Sequence, residues 1–345
     1  VERLLANLDP TTDAAATAVP HLLAVLQNPA SDPVMRERSA KMLARIGEPA
    51  RDAVPLLVQI LRAAETSGSA QNAVSVSTGQ TAVPYWAMKS LGVFGTVAAD
   101  AVPAIAAILQ DQDSSAELRI LAADTLGQIA SPAAAGVLTT ELMKPRVDDK
   151  NSSLVLRQTI IDSLALTGPL ATGSIPALTR AAEDPYAGIR RKACEAIGAL
   201  GPRAEGGLSP LLERLILDDD PAVKDAAADA LAELGTPAVQ PLTDLLEHGE
   251  PELQWRAARA LGRIGITAKP SIPQLTRTFT SSSARARMEA INSVWKITGN
   301  ARLIEAPLVI ELSSEDRQIR RRAAQLLIEP DSLSAATIQI LNRLS

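Results

Sequence analysis

A proline-marked motif returns along this chain at nearly fixed intervals. It appears as Val19-Pro20, Val54-Pro55, Val102-Pro103, Ile175-Pro176, Ser209-Pro210, Gln240-Pro241, Ile272-Pro273 and Ala306-Pro307. From Pro176 onward the steps are 34, 31, 32 and 34 residues. A second signal alternates with it, an apolar residue followed by glycine: Ile46-Gly47, Phe94-Gly95, Leu200-Gly201, Leu234-Gly235 and Ile264-Gly265. Ala130, Gly168 and Thr298 fall in the same column. A period of this length means that one small supersecondary unit is stacked on copies of itself. Proline is tolerated in a first helical turn, where its missing N–H has no partner to lose. Glycine ends a helix because it enters the left-handed region without a Cβ clash. Each unit therefore reads as a first helix near the proline, a polar turn, a second helix and a glycine-type stop.

Composition agrees with helices. Ala occurs 60 times and Leu 45 times among 345 residues, against seven aromatic residues in all. That usage favours helix over strand. In the fifth unit Ile189, Ala193, Ile197 and Leu200 share one face, as do Val223, Ala227, Leu231 and Leu234 in the sixth. This is the 3.6-residue period of an amphipathic helix. Nine units fit, with second helices expected over 34–46, 84–94, 116–129, 154–167, 187–200, 222–234, 252–264, 285–297 and 317–328. The fold class expected is all-α, an α-solenoid of about nine helical hairpins occupying residues 1–345 as a single array, a possible fragment of a longer one. Val1–Leu8 reads as the end of a helix, and Leu333–Leu344 as a first helix.

Several function classes find no support. An apolar share of 46% with mixed charge is too hydrophobic for a disordered chain. No uninterrupted apolar run approaches the ~20 residues of a membrane span. One cysteine and two histidines supply neither a disulfide framework nor a zinc site. There is no Gly-x-x-x-x-Gly-Lys phosphate loop and no Gly-x-Ser-x-Gly elbow. Asp218-Asp219-Asp220 lacks the alternation and glycine of a calcium loop and reads as a turn. Cys194 reads as a small buried hydrophobe. Neither a catalytic residue nor a metal or other cofactor is expected. The start shows no basic stretch leading into an apolar core, so a cytoplasmic location is expected, or a periplasmic or envelope one if a leader precedes Val1.

The stretch Asp184-Pro-Tyr-Ala-Gly-Ile-Arg190-Arg-Lys-Ala-Cys-Glu-Ala-Ile-Gly-Ala-Leu-Gly201 resembles a HEAT repeat, and most of all the short bacterial, phycobilisome-lyase-type variety. Residues 220–235 match the same pattern. The resemblance implies a helical solenoid whose second helices line a concave face, and a scaffold or adaptor that binds a protein partner there. Its alternatives are an enzyme of the phycobilin lyase or DNA glycosylase type, or a structural subunit of a bacterial envelope complex. HEAT-like iron hydroxylases carry His-Glu pairs on their second helices. Here His21 precedes Leu22 and His248 precedes Gly249, so that activity is not implied.

Aligned second helices share a column at Arg36, Pro84, Arg119, Arg157, Arg190, Lys224, Gln254, Arg287 and Arg320. An acid stands six residues earlier in three units, Asp113 before Arg119, Asp184 before Arg190 and Asp218 before Lys224. In HEAT-like arrays such residues form a ladder between neighbours, and positions shared by most repeats serve stacking.

Charge is uneven. Residues 1–99 are neutral overall, 100–251 carry a net −11 and 252–345 a net +6. The acidic middle argues against a nucleic-acid track. With the apolar columns facing inward, Arg38, Lys41 and Arg45 fall on the outward ridge in unit one, and Arg256, Arg259 and Arg263 in unit seven. Asp124, Asp162, Glu195 and Asp229 occupy that ridge between them. Trp86 and Trp255 lie near the same face. Tryptophan and arginine are enriched at interface hot spots. The expectation is a partner with an acidic segment contacting the unit-seven stripe, with Trp255 as its apolar anchor.

Overall fold

The computed structural model describes residues 13–66, 82–144 and 151–328. The expected end helices at Val1–Leu8 and Leu333–Leu344 lie outside the described residues, as does most of two long polar connections, Glu65–Val83 and Lys144–Ser153.

Helices alternate throughout, and no strand occurs among the described residues. The first helices are α1 (Asp13–Gln27), α3 (Val54–Thr66), α5 (Val102–Gln110), α7 (Pro132–Met143), α9 (Ile175–Ala181), α11 (Leu208–Leu217), α13 (Thr236–His248), α15 (Ile272–Arg277) and α17 (Glu305–Glu311). The second helices are α2 (Pro33–Ile46), α4 (Ala82–Phe94), α6 (Ala116–Ile129), α8 (Asn151–Thr167), α10 (Ala187–Ala199), α12 (Pro221–Leu234), α14 (Pro251–Ile264), α16 (Ala284–Thr298) and α18 (Arg317–Ile328). The second-helix boundaries agree with the expected ones to within three residues. The chain divides into two compact units, Val1–Ala181 and Ala182–Ser345.

The starts of the second helices are chemically marked. Asp32, Ser115, Asp220 and Ser283 accept N–H bonds from the first turns of α2, α6, α12 and α16. Such caps satisfy donors that the helix itself cannot pair. Their ends are marked by positive φ at Gly47, Gly95, Gly168, Gly201, Gly235, Gly265 and Gly299, and at Ala130. The last hairpin in that set corrects the sequence column. Thr298 is the final residue of α16, and the left-handed position is Gly299, one place later.

After most stops the chain makes a 3₁₀ turn that buries an alanine three residues on. Ala50, Ala98, Ala171, Ala204 and Ala268 are all 1% exposed or less. Proline then opens the following first helix, as at Pro103 and Pro273. Two prolines depart from that rule. Pro20 and Pro241 lie inside α1 and α13, because helix there begins earlier and replaces the 3₁₀ turn.

Val83–Gln110 reaches a mean hydropathy of 1.8. It folds as α4 and α5 on either side of Gly95, with φ +60°, and so is broken into two packed helices.

Within each unit, second helices pack side by side, and small residues set how closely. A Cβ on Gly127 of α6 would lie 2.6 Å from Cβ and 2.7 Å from Cα of Ser163 on α8. On Gly198 of α10 it would lie 2.9 Å from Cα of Ala230 on α12. Two serines bridge such contacts. Ser90 Oγ donates to the Ala40 carbonyl at 3.0 Å, and Ser293 Oγ to that of Ala258 at 2.7 Å. The backbones are near enough for a hydroxyl on one helix to reach a carbonyl on the next. The faces between them are apolar, with Ile189, Ala193, Ile197, Leu200, Val223, Ala227, Leu231 and Leu234 all fully buried.

These positions separate two effects that alanine normally combines. Gly127→Ala adds about 1 kcal/mol of helix propensity, but overpacks against the Ser163 backbone at a cost of about 1–3 kcal/mol. A net loss of stability in urea denaturation is expected. Ala130→Gly instead removes a left-handed strain of about 1–2 kcal/mol and adds unfolded-state freedom worth about 0.4–1 kcal/mol. It should leave stability unchanged or raise it.

Candidate partner-binding surface

Five arginines of the column at the start of the second helices do a specific job. Arg190 Nη1 donates to the Asp184 and Pro185 carbonyls at 3.0 and 3.1 Å. Arg287 does the same to Ser281 and Ser282, and Arg320 to Ser314 and Glu315. Arg119 Nε reaches the Leu109 carbonyl at 2.9 Å, and Arg36 Nη2 that of Leu26 at 3.4 Å. These are carbonyls at or just beyond the C-terminal end of the first helix, which lack helical partners.

The same guanidinium then spans to the next hairpin. Arg190 grips Asp218 in a bidentate pair, with Nε–Oδ2 2.7 Å and Nη2–Oδ1 2.8 Å. Arg287 grips Glu311 at 2.5 and 3.1 Å, and Arg119 meets Glu141 at 3.0 Å. The acids stand 22–28 residues after their arginines. The six-residue spacing in the sequence picks out different pairs, and the structure corrects them. Asp113 is exposed, and Glu141 faces Arg119 in its place. Asp184 contributes its backbone carbonyl to Arg190, while its side chain accepts from the Tyr186 N–H. Asp218 serves Arg190 of the preceding hairpin and is not paired with Lys224, which is half-buried. Arg157 keeps the column position and is half-buried too. The pairing was hidden because the acid stands at the end of the next repeat's first helix, whose length varies.

Burial pushes the Asp218 carboxyl up, but hydrogen bonds from Arg190 and the Asp220 N–H, with the charges of Arg190 and Arg214, hold it below the ordinary range. The bond to Asp218 raises Arg190 in turn. Cys194 is fully buried, and desolvation pushes its thiol up to about 12, so it stays protonated.

The outward ridge differs between the two units. In the first, Arg38, Lys41 and Arg45 are exposed on α2, as their register implied. Trp86 is half-buried beside them, with Lys41 Nζ 5.1 Å from its ring centre and Tyr85 edge-on at 5.4 Å. Farther along, α4, α6 and α8 flank an open groove of about 420 Å³. Its walls include Tyr85, Ile120 and Leu166, the last 64% exposed. They also carry Glu117, Asp162 and the Lys89–Asp124 pair at 3.1 Å.

In the second unit the arginine stripe of α14 is already occupied. Arg256 Nε meets Asp225 at 2.7 Å, Arg259 meets Asp229 at 3.0 Å, and Arg263 meets Asp229 and Glu233, both at 2.7 Å. The acidic ridge of α12 is thus the partner of the basic ridge of α14. Trp255, expected as an exposed anchor, is 1% exposed, and Arg256 only 4%. The Arg285, Arg256 and Arg259 guanidinium carbons lie 3.4, 4.2 and 5.2 Å from the centre of the indole. Glu252 accepts from Trp255 Nε1 at 2.9 Å and from Arg256 at 3.0 Å. That hydrogen bond from Trp255, with the nearby arginines, holds the Glu252 carboxyl below its usual range. The indole is covered because arginines have the reach and the flat face to close over it. A groove of about 410 Å³ remains beside α10, α12 and α14, rimmed by Arg191, Glu195, Asp229 and Glu233.

Among the described residues no group of three or more His, Cys, Asp or Glu is placed to hold a metal ion.

Residues 208–295 match the family model for HEAT repeats. No curated protein matches the chain. Among solved structures it is similar to the complex of CpcE and CpcF of phycocyanin lyase from Nostoc sp., at 22% identity and TM-score 0.37, over 70% of this chain and 92% of that one. It is similar to Kap121p at 12% identity and TM-score 0.43, over 94% of this chain and 42% of that one. It is also similar to human deoxyhypusine hydroxylase, at 17% identity and TM-score 0.30, over 96% and 98% of the two chains. The chain spans less than half the length of Kap121p. At these identities the likeness does not extend to activity or partner.

The ladder has a measurable consequence. Removing one member of a buried ion pair costs about 3–5 kcal/mol, because the other charge stays buried. Arg190→Ala should therefore destabilise by about 3 kcal/mol, and replacing both residues as Arg190→Met with Asp218→Leu should cost less. Since the Asp218 carboxyl lies low, its contribution is complete above the ordinary aspartate value of about 3.9 and is lost as pH falls through the folded value. Urea unfolding at pH 7 and pH 3 should show a smaller acid loss in Arg190→Ala than in wild type.

Proposed function

We propose that this array of HEAT-like repeats is a protein-binding scaffold that holds its partner against the second-helix face of the first unit. The observation that carries the reading is a contrast between two equivalent stripes. Arg256, Arg259 and Arg263 are consumed by acids of the neighbouring helix, whereas Lys41 and Arg45 stand exposed in the register of Arg259 and Arg263. The α12–α14 contact also supplies a pattern for what such a stripe accepts, namely carboxylates spaced four residues apart on a helix, as at Asp225, Asp229 and Glu233. An acidic helical segment is thus the partner chemistry favoured, and the half-buried Trp86 offers apolar contact beside it. Aromatic and arginine-rich surfaces of this kind supply interface energy, while charge complementarity sets the rate and register of association.

A pull-down with mass spectrometry would supply the partner. Lys41→Glu with Arg45→Glu should then weaken its binding at least tenfold with the helical spectrum unchanged, and raised salt should weaken the wild-type complex. Arg259→Glu should chiefly lower stability. Loss of binding confined to the α14 variant would overturn the assignment.

A further inference from the structure

Three rungs of the ladder column lack arginine, at Pro84, Lys224 and Gln254, and the seventh hairpin alone holds an amide there. In the hairpins of Arg190, Arg287 and Arg320 the guanidinium sits on the carbonyls six and five residues earlier, just past the first helix. In the seventh hairpin that column holds Gln254, and the corresponding carbonyls are those of His248 and Gly249. The shorter amide does not follow the arginine path. Its Nε2 donates to the Leu246 carbonyl at 3.2 Å, and its Oε1 accepts from Ser281 Oγ at 3.1 Å. The acid of the next hairpin is missing as well, since Thr278, Thr280 and Ser281 occupy the region where Asp218 and Glu311 stand in their own rungs.

Space accompanies the substitution. A cleft of about 400 Å³ opens there, lined by Glu247, Gln254, Arg277, Thr280 and Ser281 among others. It lies by the C-terminal end of α13, where the helix dipole and orphan carbonyls favour a cation. Glu247 on its wall meets only Arg277, at 3.8 Å, and that arginine side chain is 71% exposed. An exposed pair of this kind is weak and leaves the carboxylate able to change partners. The cleft thus offers amide, hydroxyl and carboxylate acceptors where other rungs hold a planar five-donor cation.

We infer that this cleft receives the guanidinium group of an arginine side chain from a protein partner, completing from outside the rung that Gln254 leaves unfilled. The inference extends the scaffold reading by adding a second point of contact. It is tested with a small probe, so that its failure leaves the α2 stripe untouched.

The probe is N-acetyl-arginine amide, titrated into the whole chain and followed by amide NMR, with N-acetyl-lysine amide as control. Arginine amide should give saturable shifts at the Gln254 side-chain amide, Thr280 and Ser281, and lysine amide should bind at least fivefold more weakly. Gln254→Arg should fill the cleft from within, raise the melting temperature and abolish the shifts. Glu247→Gln, an exposed change that leaves packing alone, should weaken the probe several-fold, which keeps the test open if Gln254→Arg misfolds. Equal binding of the two probes, shifts scattered away from the cleft, no shift up to tens of millimolar, or undiminished binding by a folded Gln254→Arg chain would each overturn the inference.

Discussion

A pair of short helices cannot bury its own apolar faces, so everything in this chain depends on how closely one second helix can lie against the next. The limit is set by backbone. At Gly127 and Gly198 the neighbouring helix passes so near that a methyl group would strike its Cα or Cβ. Close approach brings the apolar columns into contact along their length, which is where a repeat array gains its nearest-neighbour stabilisation. It also places Ser90 and Ser293 within reach of a neighbour's carbonyl, which adds direction to a contact that dispersion alone leaves free to slide.

Charge is arranged around that constraint. With backbones close together, side chains at the edges of the contact can reach across it. At one edge a guanidinium satisfies the end of its own first helix and clamps a buried carboxylate of the next hairpin. Such a pair is a weak source of net stability, because desolvation offsets most of the attraction, but it penalises wrong registers heavily. On the outward ridge the Arg259 and Arg263 pairs are more exposed, and each contributes no more than about 1 kcal/mol. Their weight is in what they remove from the surface. The acidic middle and basic end of the sequence look like a polarised field, yet within the second unit much of that opposition is cancelled between α12 and α14.

The parts of the structure that follow from local chemistry were readable in the residues. Proline, the glycine stop and the 3.6-residue period place the second helices to within three residues, because each signal acts on the backbone that carries it. The buried alanine three residues after the stop, and the glycine at the helix contact, were equally regular signals that periodicity of large apolar residues does not pick out. What the sequence could not reveal was pairing between repeats. Arg119, Arg190 and Arg287 find acids 22, 28 and 24 residues away, and no constant offset exists to find. Trp255 shows the same limit at the candidate site. Its register is outward, but Arg256, Arg259 and Arg285 fold over it, and burial by a neighbour's side chain leaves no periodic trace.

That limit decides which surfaces are open. A residue on the outward ridge is available only if the adjacent second helix carries nothing to neutralise it, and the columns state that condition. Asp225, Asp229 and Glu233 meet the stripe of α14, whereas the positions matching them on α16 are Met288, Asn292 and Lys296. Drift at a ridge position therefore changes which charges the surface exposes, while the apolar columns and the glycine contact are carried by other residues. In the same way Gln254 keeps the ladder's attachment to its own first helix while giving up the charge, so the array stays continuous where its surface chemistry changes. Stacking is held by small and apolar residues, and the charged positions are left to set the chemistry of the surface.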